Sequence, residues 1–152
     1  MSIVTEYLDA AGVGYEVVRH DRSFTGVDEA KALGIDADEV LKTLVLDTAR
    51  GHVLAVIPGS GRLDMRLIRD AVGDPHATLA TEKEIERDFR GFELGSLPPL
   101  GGLLDAELYV DPAVRDHDVV VFAAGSQVES VKTHARELFT KERAHFIEIA
   151  EG

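Results

Sequence analysis

Two parts of this 152-residue chain have residue types that could do chemistry: one lysine and one loop rich in glycine and proline. Lys42 stands in Leu41-Lys-Thr-Leu-Val-Leu46, an apolar run that reads as a strand. Strand alternation puts Lys42 with Leu44 and Leu46 on one face and Leu41, Thr43 and Val45 on the other, so the lysine intrudes on an apolar face. An ammonium in that setting needs a partner, a route to water along its stem, or an anionic or carbonyl ligand that offsets its desolvation. The loop is Gly91-Phe-Glu-Leu-Gly-Ser-Leu-Pro-Pro-Leu-Gly-Gly102, with four glycines and two prolines in twelve residues. Proline removes a backbone donor and glycine is entropically costly in helix or strand, so the segment predicts a loop. Loops of that length inside a compact domain are commonly functional or mobile. The N–H groups of Gly95, Ser96 and Leu97, just ahead of Pro98 and Pro99, are placed to converge on an anion or a carbonyl oxygen, with a rigid surface turn as the alternative.

Other chemistries lack their parts. There is no cysteine, which removes disulfides, thiolate metal sites and cysteine nucleophiles together. The six histidines show no metal-ligand spacing, so neither a metal nor another cofactor is expected. Pro58-Gly-Ser-Gly61 is one position off the nucleophile-elbow pattern and lacks the Lys-Ser/Thr ending of a phosphate loop, so it reads as a turn. His20 lies near Thr25, either as a site residue or as an end to the first strand.

The net charge of −12 argues against a protein that grips a long duplex, and DNA is not an expected partner. Arg62, Arg66 and Arg69 nevertheless fall on one helix face and form a small basic patch. No apolar run approaches the roughly 20 residues that span a bilayer, and the N-terminal stretch lacks the pattern of a signal peptide, so a cytoplasmic location without a membrane partner is expected.

The elements that must position these residues follow from periodicity and punctuation. Helices are predicted over 2–11, from a Thr25–Asp28 capping box to Gly34, from Asp64 to Gly73, from a Thr81–Glu84 capping box to about Phe89, and over 135–139. Strands are predicted over 15–19, 40–47, 52–57, 106–110, 119–123, 128–132 and 145–149, the second and third joined by a turn at Arg50-Gly51. Several strands are joined by turns too short for a parallel crossover. The expectation is an α+β fold over residues 1–152 as one domain, with a mixed, curved or barrel-like sheet and helices packed on its outside.

Taken in order, His20 and Thr25, Leu41-Lys-Thr-Leu-Val45, Val53-Leu-Ala-Val-Ile-Pro58, Gly95-Ser-Leu-Pro-Pro-Leu-Gly101, Tyr109-Val-Asp111 and Ala123-Ala-Gly125 resemble the YbaK family. These are free-standing editing proteins related to the domain inserted in, or associated with, prolyl-tRNA synthetases. The resemblance implies a mixed barrel with helices around it. It also implies hydrolysis of the ester between a wrong amino acid and the 3′-terminal adenosine of a mischarged tRNA, with an aminoacyl-tRNA synthetase as a possible partner. Carried over, Lys42 positions the aminoacyl-adenosine, and Gly95, Ser96, Leu97, Pro98 and Pro99 shape the amino-acid pocket and bond the substrate through the backbone. His20, Thr25, Thr43, Gly101, Gly125 and Ser126 fall at matching substrate-side positions. Proline at 98 departs from the small polar residue of many relatives, so the amino-acid preference does not carry over, although Ser96 could take part of that polar role. A non-catalytic module of the same fold, binding a nucleotide or aminoacyl ligand or docking on a synthetase, is the alternative.

Overall fold

The computed structural model describes residues 2–152. Helix α1 (Ile3–Ala11) is capped by Ser2 and stopped by Gly12 in the left-handed conformation, and is followed by β1 (Tyr15–Arg19). Thr25 caps α2 (Gly26–Leu33) by accepting from the Asp28 N–H, and Gly34 ends it. The long hairpin β2 (Val40–Thr48) and β3 (Gly51–Pro58) pairs antiparallel from Leu41↔Pro58 to Thr48↔Gly51. Asp64 caps α3 (Met65–Val72), and the Thr81–Glu84 capping box opens α4 (Glu82–Asp88) after the short β4 (Thr78–Leu79). The one-turn α5 (Gly101–Leu104), β5 (Glu107–Val110), β6 (Val119–Ser126), β7 (Glu129–His134), α6 (Ala135–Lys141) and β8 (His145–Phe146) complete the chain.

These strands form one mixed sheet in the order β1-β7-β6-β2-β3-β5-β8, with β4 on β2. The pairs β2–β6, β3–β5 and β5–β8 are parallel and the others antiparallel. The α+β expectation of a curved mixed sheet carrying helices is met. Alternation along β2 holds: Leu41 and Val45 enter a core with Val4 and Leu8 of α1, Leu54, Val56, Leu100 and Phe122, whereas Leu46 joins Ala55, Ile57, Ile68 and Val72 on the opposite face. Helices thus cover both faces, and each fully buried Leu or Ile contributes about 1.5–3 kcal/mol.

Several strand ends shift by one to three residues from the sequence reading, which lacks β4 and α5; two differences matter for the site and the tail. The glycine-proline loop ends early, because Gly101 and Gly102 enter the turn of α5. The last strand keeps only His145–Phe146. Its continuation is taken by a side chain: Asp111 Oδ2 accepts the N–H groups of Ile149 and Ala150, each at 2.9 Å, and Oδ1 accepts that of Ala113. Among the described residues no helix is long and apolar enough to cross a membrane. Replacing the buried Asp111 by Ala strands three backbone donors. We expect a loss of about 3 kcal/mol in urea unfolding, with Ile149 and Ala150 amides exchanging first.

Candidate functional site

The feature that makes a site is an interruption in the sheet. Along the edge of β2 away from β3, β6 pairs only with Val40 and Leu41 and β4 only with Leu46 and Asp47. Residues 42–45 have no strand beside them there, and only the Val45 carbonyl is taken, by the Ala80 N–H. Since successive residues of a strand aim their peptide groups to opposite edges, the N–H and C=O of Thr43 face this gap. A cavity of about 390 Å³ opens at it, lined by Phe24, Thr43, Leu79, Ile85, Gly95 and Leu97 with neighbours including Glu82 and Gln127. Thr43 Oγ1 is buried and has no hydrogen-bond partner, and neither has Ser96 Oγ. Phe24 and Leu79 stand at the cavity with 60% and 50% of their surface exposed.

The loop reaches the cavity because it is strapped to the end of β6. Gly125 donates to the Ser96 carbonyl at 3.0 Å and accepts from the Glu93 N–H at 2.9 Å. Gln127 donates its side-chain amide to the Leu94 carbonyl and its backbone N–H to Glu93, while its Oε1 accepts from Arg22 at 2.7 Å. The Gln127 N–H foremost, with Arg22 assisting, holds the Glu93 carboxyl below its ordinary range. Gly95 has φ +76°, and a Cβ there would overlap the Phe24 carbonyl oxygen. Loop and Phe24 segment are therefore in backbone contact that only glycine permits.

The donor nest expected at 95–97 is reduced. Ser96 spends its N–H on the Glu93 carbonyl at 3.1 Å, whereas the N–H groups of Gly95 and Leu97 have no acceptor among the described residues. Pro98 and Pro99 are buried behind the loop and do not line the cavity. Gly101 starts α5 against the Ala106 carbonyl, in a different groove beside Tyr7 and Glu142. Gly125 and Ser126 form the bulged strand end, with Ser126 Oγ accepting from the Val128 N–H. Thr25 caps α2, and His20 bonds Ser130.

The structure does not bring Lys42 into the same cavity. Its Nζ donates to the Gly61 carbonyl at 2.8 Å on the opposite face of β2 from Thr43, half-buried beside Arg62. Burial first, and the Arg62 charge second, lower the lysine pKa. The residues that the sequence reading missed are Phe24, Leu79, Ile85 and Gln127. They meet only through the tertiary packing of four separate segments, and none carries a local signal. Larger grooves, one of about 960 Å³ beside α6, contain neither Thr43 nor the free loop donors.

Residues 20–140 match the family described as the aminoacyl-tRNA editing domain. The chain belongs to this family. It is 24% identical over 136 residues to EbsC of Enterococcus faecalis, named a candidate Cys-tRNA(Pro)/Cys-tRNA(Cys) deacylase, covering 89% of this chain and 82% of that one. It is 27% identical over 116 residues to the prolyl-tRNA editing protein ProX of Acetoanaerobium sticklandii, covering 74% and 69%. Among solved structures, a candidate trans-editing enzyme for prolyl-tRNA synthetase superposes with a TM-score of 0.87 at 28% identity, over 99% of this chain and 96% of that one.

The glycine contact can be measured. Gly34 also has a positive φ, but nothing lies where its Cβ would be. Gly34→Ala should cost about 1 kcal/mol of backbone strain, whereas Gly95→Ala should cost about 2–3 kcal/mol because the Phe24 segment must also move. Equal denaturation midpoints for the two variants would show that the contact adds no cost.

Proposed function

We propose that this chain, residues 1–152 acting as one editing domain, hydrolyses the ester of a wrongly attached amino acid on tRNA, with the aminoacyl group held in the cavity at the interrupted edge of β2. The carrying observation is that this cavity joins free backbone donors to a buried, unpartnered hydroxyl in a member of the editing-domain family. Water adds to the ester carbonyl carbon, the bond to the ribose oxygen breaks, and the amino acid and a free tRNA 3′ end are released. Gly95 and Leu97 N–H groups stabilise the oxygen that becomes negative as the water adds. Among the described residues Glu82 is the sole ionisable side chain lining the cavity, so the reaction relies on positioning of the water, with a ribose hydroxyl of the substrate as its partner.

The exposed ring of Phe24 offers a face on which the terminal adenine stacks. Lys42 positions the adenosine end from the face of β2 opposite Thr43, where its ammonium and Arg62 present positive charge to the acceptor-end phosphates. Arg62 precedes the Asp64 cap, so of the expected helix-face trio only Arg66 and Arg69 lie on α3, and Arg69 is turned to the Ala77 carbonyl. The local patch of Lys42 and Arg62 suits a protein of net charge −12 that meets only the end of the tRNA. The relative described as a candidate trans-editing enzyme for prolyl-tRNA synthetase supports a synthetase as the source of the mischarged tRNA. The near absence of ionisable groups in the cavity also favours a second reading, a module that binds the aminoacyl end without cleaving it.

The test is release of labelled amino acid from alanyl-, cysteinyl- and seryl-tRNAs of proline or threonine identity. Lys42→Ala should lower kcat/KM by about 100-fold, the scale of a lost positioning contact, with unchanged thermal unfolding. Full activity in that variant removes Lys42 from the mechanism. Binding of mischarged tRNA without hydrolysis of any member would select the non-catalytic module.

A further inference from the structure

Beneath the Phe24 segment lies a chain of three polar side chains that the proposed reaction does not use. His20 Nε2 is 2.8 Å from Ser130 Oγ, and Ser130 Oγ is hydrogen-bonded to Glu29 Oε2. At the other side of the ring, His20 Nδ1 is 2.7 Å from the Asp21 carbonyl oxygen. Glu29 and Ser130 are buried, with 4% and 0% of their surface exposed. Ser130 sits within the sheet, paired with Val18 of β1 and Ala123 of β6, and Glu29 is in the first turn of α2.

Counting hydrogens fixes what this chain can be. The Asp21 carbonyl accepts only, so Nδ1 carries a hydrogen. Ser130 has one hydroxyl hydrogen, yet its oxygen makes two contacts, to Nε2 and to Glu29. Both are hydrogen bonds only if one more proton is present. Either the imidazolium Nε2–H donates to Oγ and the hydroxyl donates to the carboxylate, or the carboxylic acid donates to Oγ and the hydroxyl donates to neutral Nε2. The two arrangements carry the same total charge and differ only in which end holds the proton.

The chain also spans the segment 20–25 from end to end. His20 begins it, fixed by its N–H to the Val128 carbonyl, and Glu29 follows it, its N–H bonded to the Thr25 carbonyl. Between them Phe24 lines the cavity and presses its carbonyl on Gly95. We propose that His20, Ser130 and Glu29 are positioning residues, a one-proton clip that holds the Phe24 segment over the cavity and releases it when that proton is lost. The clip itself is read from the free protein; only its effect on catalysis rests on the editing function.

Loss of the proton leaves two acceptors, neutral Nε2 and the carboxylate, competing for one hydroxyl hydrogen, with a buried negative charge besides. Burial already raises the Glu29 pKa, opposed by the Ser130 hydrogen bond and the His20 charge. A second proton, held on Oε1, leaves Glu29 Oε2 an acceptor for the Ser130 hydroxyl, so the chain breaks only on the alkaline side. The other charged groups on the surrounding elements are Glu16 and Arg19 on β1, Glu129 and Lys132 on β7, Asp28 and Lys31 on α2, Asp36, Asp38 and Glu39 after it, Lys42 and Asp47 on β2, and Asp21 and Arg22 in the segment. Of these, Arg19 pairs with Glu129 and Arg22 with Glu93.

The chain has no tryptophan, so Phe24→Trp makes a single reporter at the segment. Its emission should shift to the red on the alkaline limb as the segment lets go. In the Phe24→Trp, Glu29→Gln protein the carboxamide donates to Ser130 Oγ and the hydroxyl to the bare Nε2 with no further proton to lose, so the alkaline shift should vanish. Phe24→Trp with Ser130→Ala should emit at the red-shifted position throughout. If the editing reading holds, wild-type kcat/KM for deacylation falls along the same alkaline limb and Glu29→Gln flattens that limb. An alkaline shift of unchanged midpoint in the Glu29→Gln background, or no shift in Phe24→Trp itself, would overturn the clip. Because the fluorescence needs no substrate, absent deacylation bears on the editing function and leaves this result intact.

Discussion

Everything distinctive about this molecule depends on where β2 lacks a neighbour. A strand inside a sheet normally has both rows of peptide groups occupied, and β2 does along β3. On its other edge β6 and β4 each take two residues and leave the middle unserved. The sheet tolerates this because flanking strands fix the backbone of 42–45 in extended form while the core anchors Leu41 and Val45 beneath it. An unpaired backbone next to a buried, unpartnered hydroxyl is energetically incomplete, and a bound ligand is one way to complete it.

The rest of the site is arranged around that gap by polar side chains whose partners lie far away in sequence. Gln127 reads the loop at Glu93 and Leu94 and the incoming segment at Arg22, so one residue past β6 keeps two segments in mutual register. Gly95 lets those segments touch at the backbone. Close packing of this kind transmits small shifts instead of absorbing them. A proton count at His20, Ser130 and Glu29 can thereby matter to a cavity that none of the three lines.

The fold was largely legible because its signals are local. The Thr81–Glu84 box, Asp64 before α3, the glycines after α1, α2 and α3, and the Arg50-Gly51 turn each act within a few residues and formed as read. The Thr25–Asp28 pair yielded only its Thr25 half. The last strand was overextended because Asp111, from a distant segment, intercepts its donors. The site was legible in part: Thr43, Gly95 and Leu97 are brought together, and the side of β2 from which Lys42 projects follows from alternation. What alternation does not say is which face the loop will cover. Phe24, Leu79 and Gln127 gain their meaning from that choice alone.

The Asp111 tie has a consequence for how copies of this protein meet one another. At the β8 end of the sheet the ladder is two residues long, the backbone donors of Ile149 and Ala150 are engaged by a carboxylate from within the same fold, and Ala150 bridges back to Leu63. A row of free donors and acceptors along an outer strand is a template on which a second chain can add its own. Here that row is cut to a length too short to nucleate such growth, so the side chain that anchors the tail also denies the sheet a sticky end.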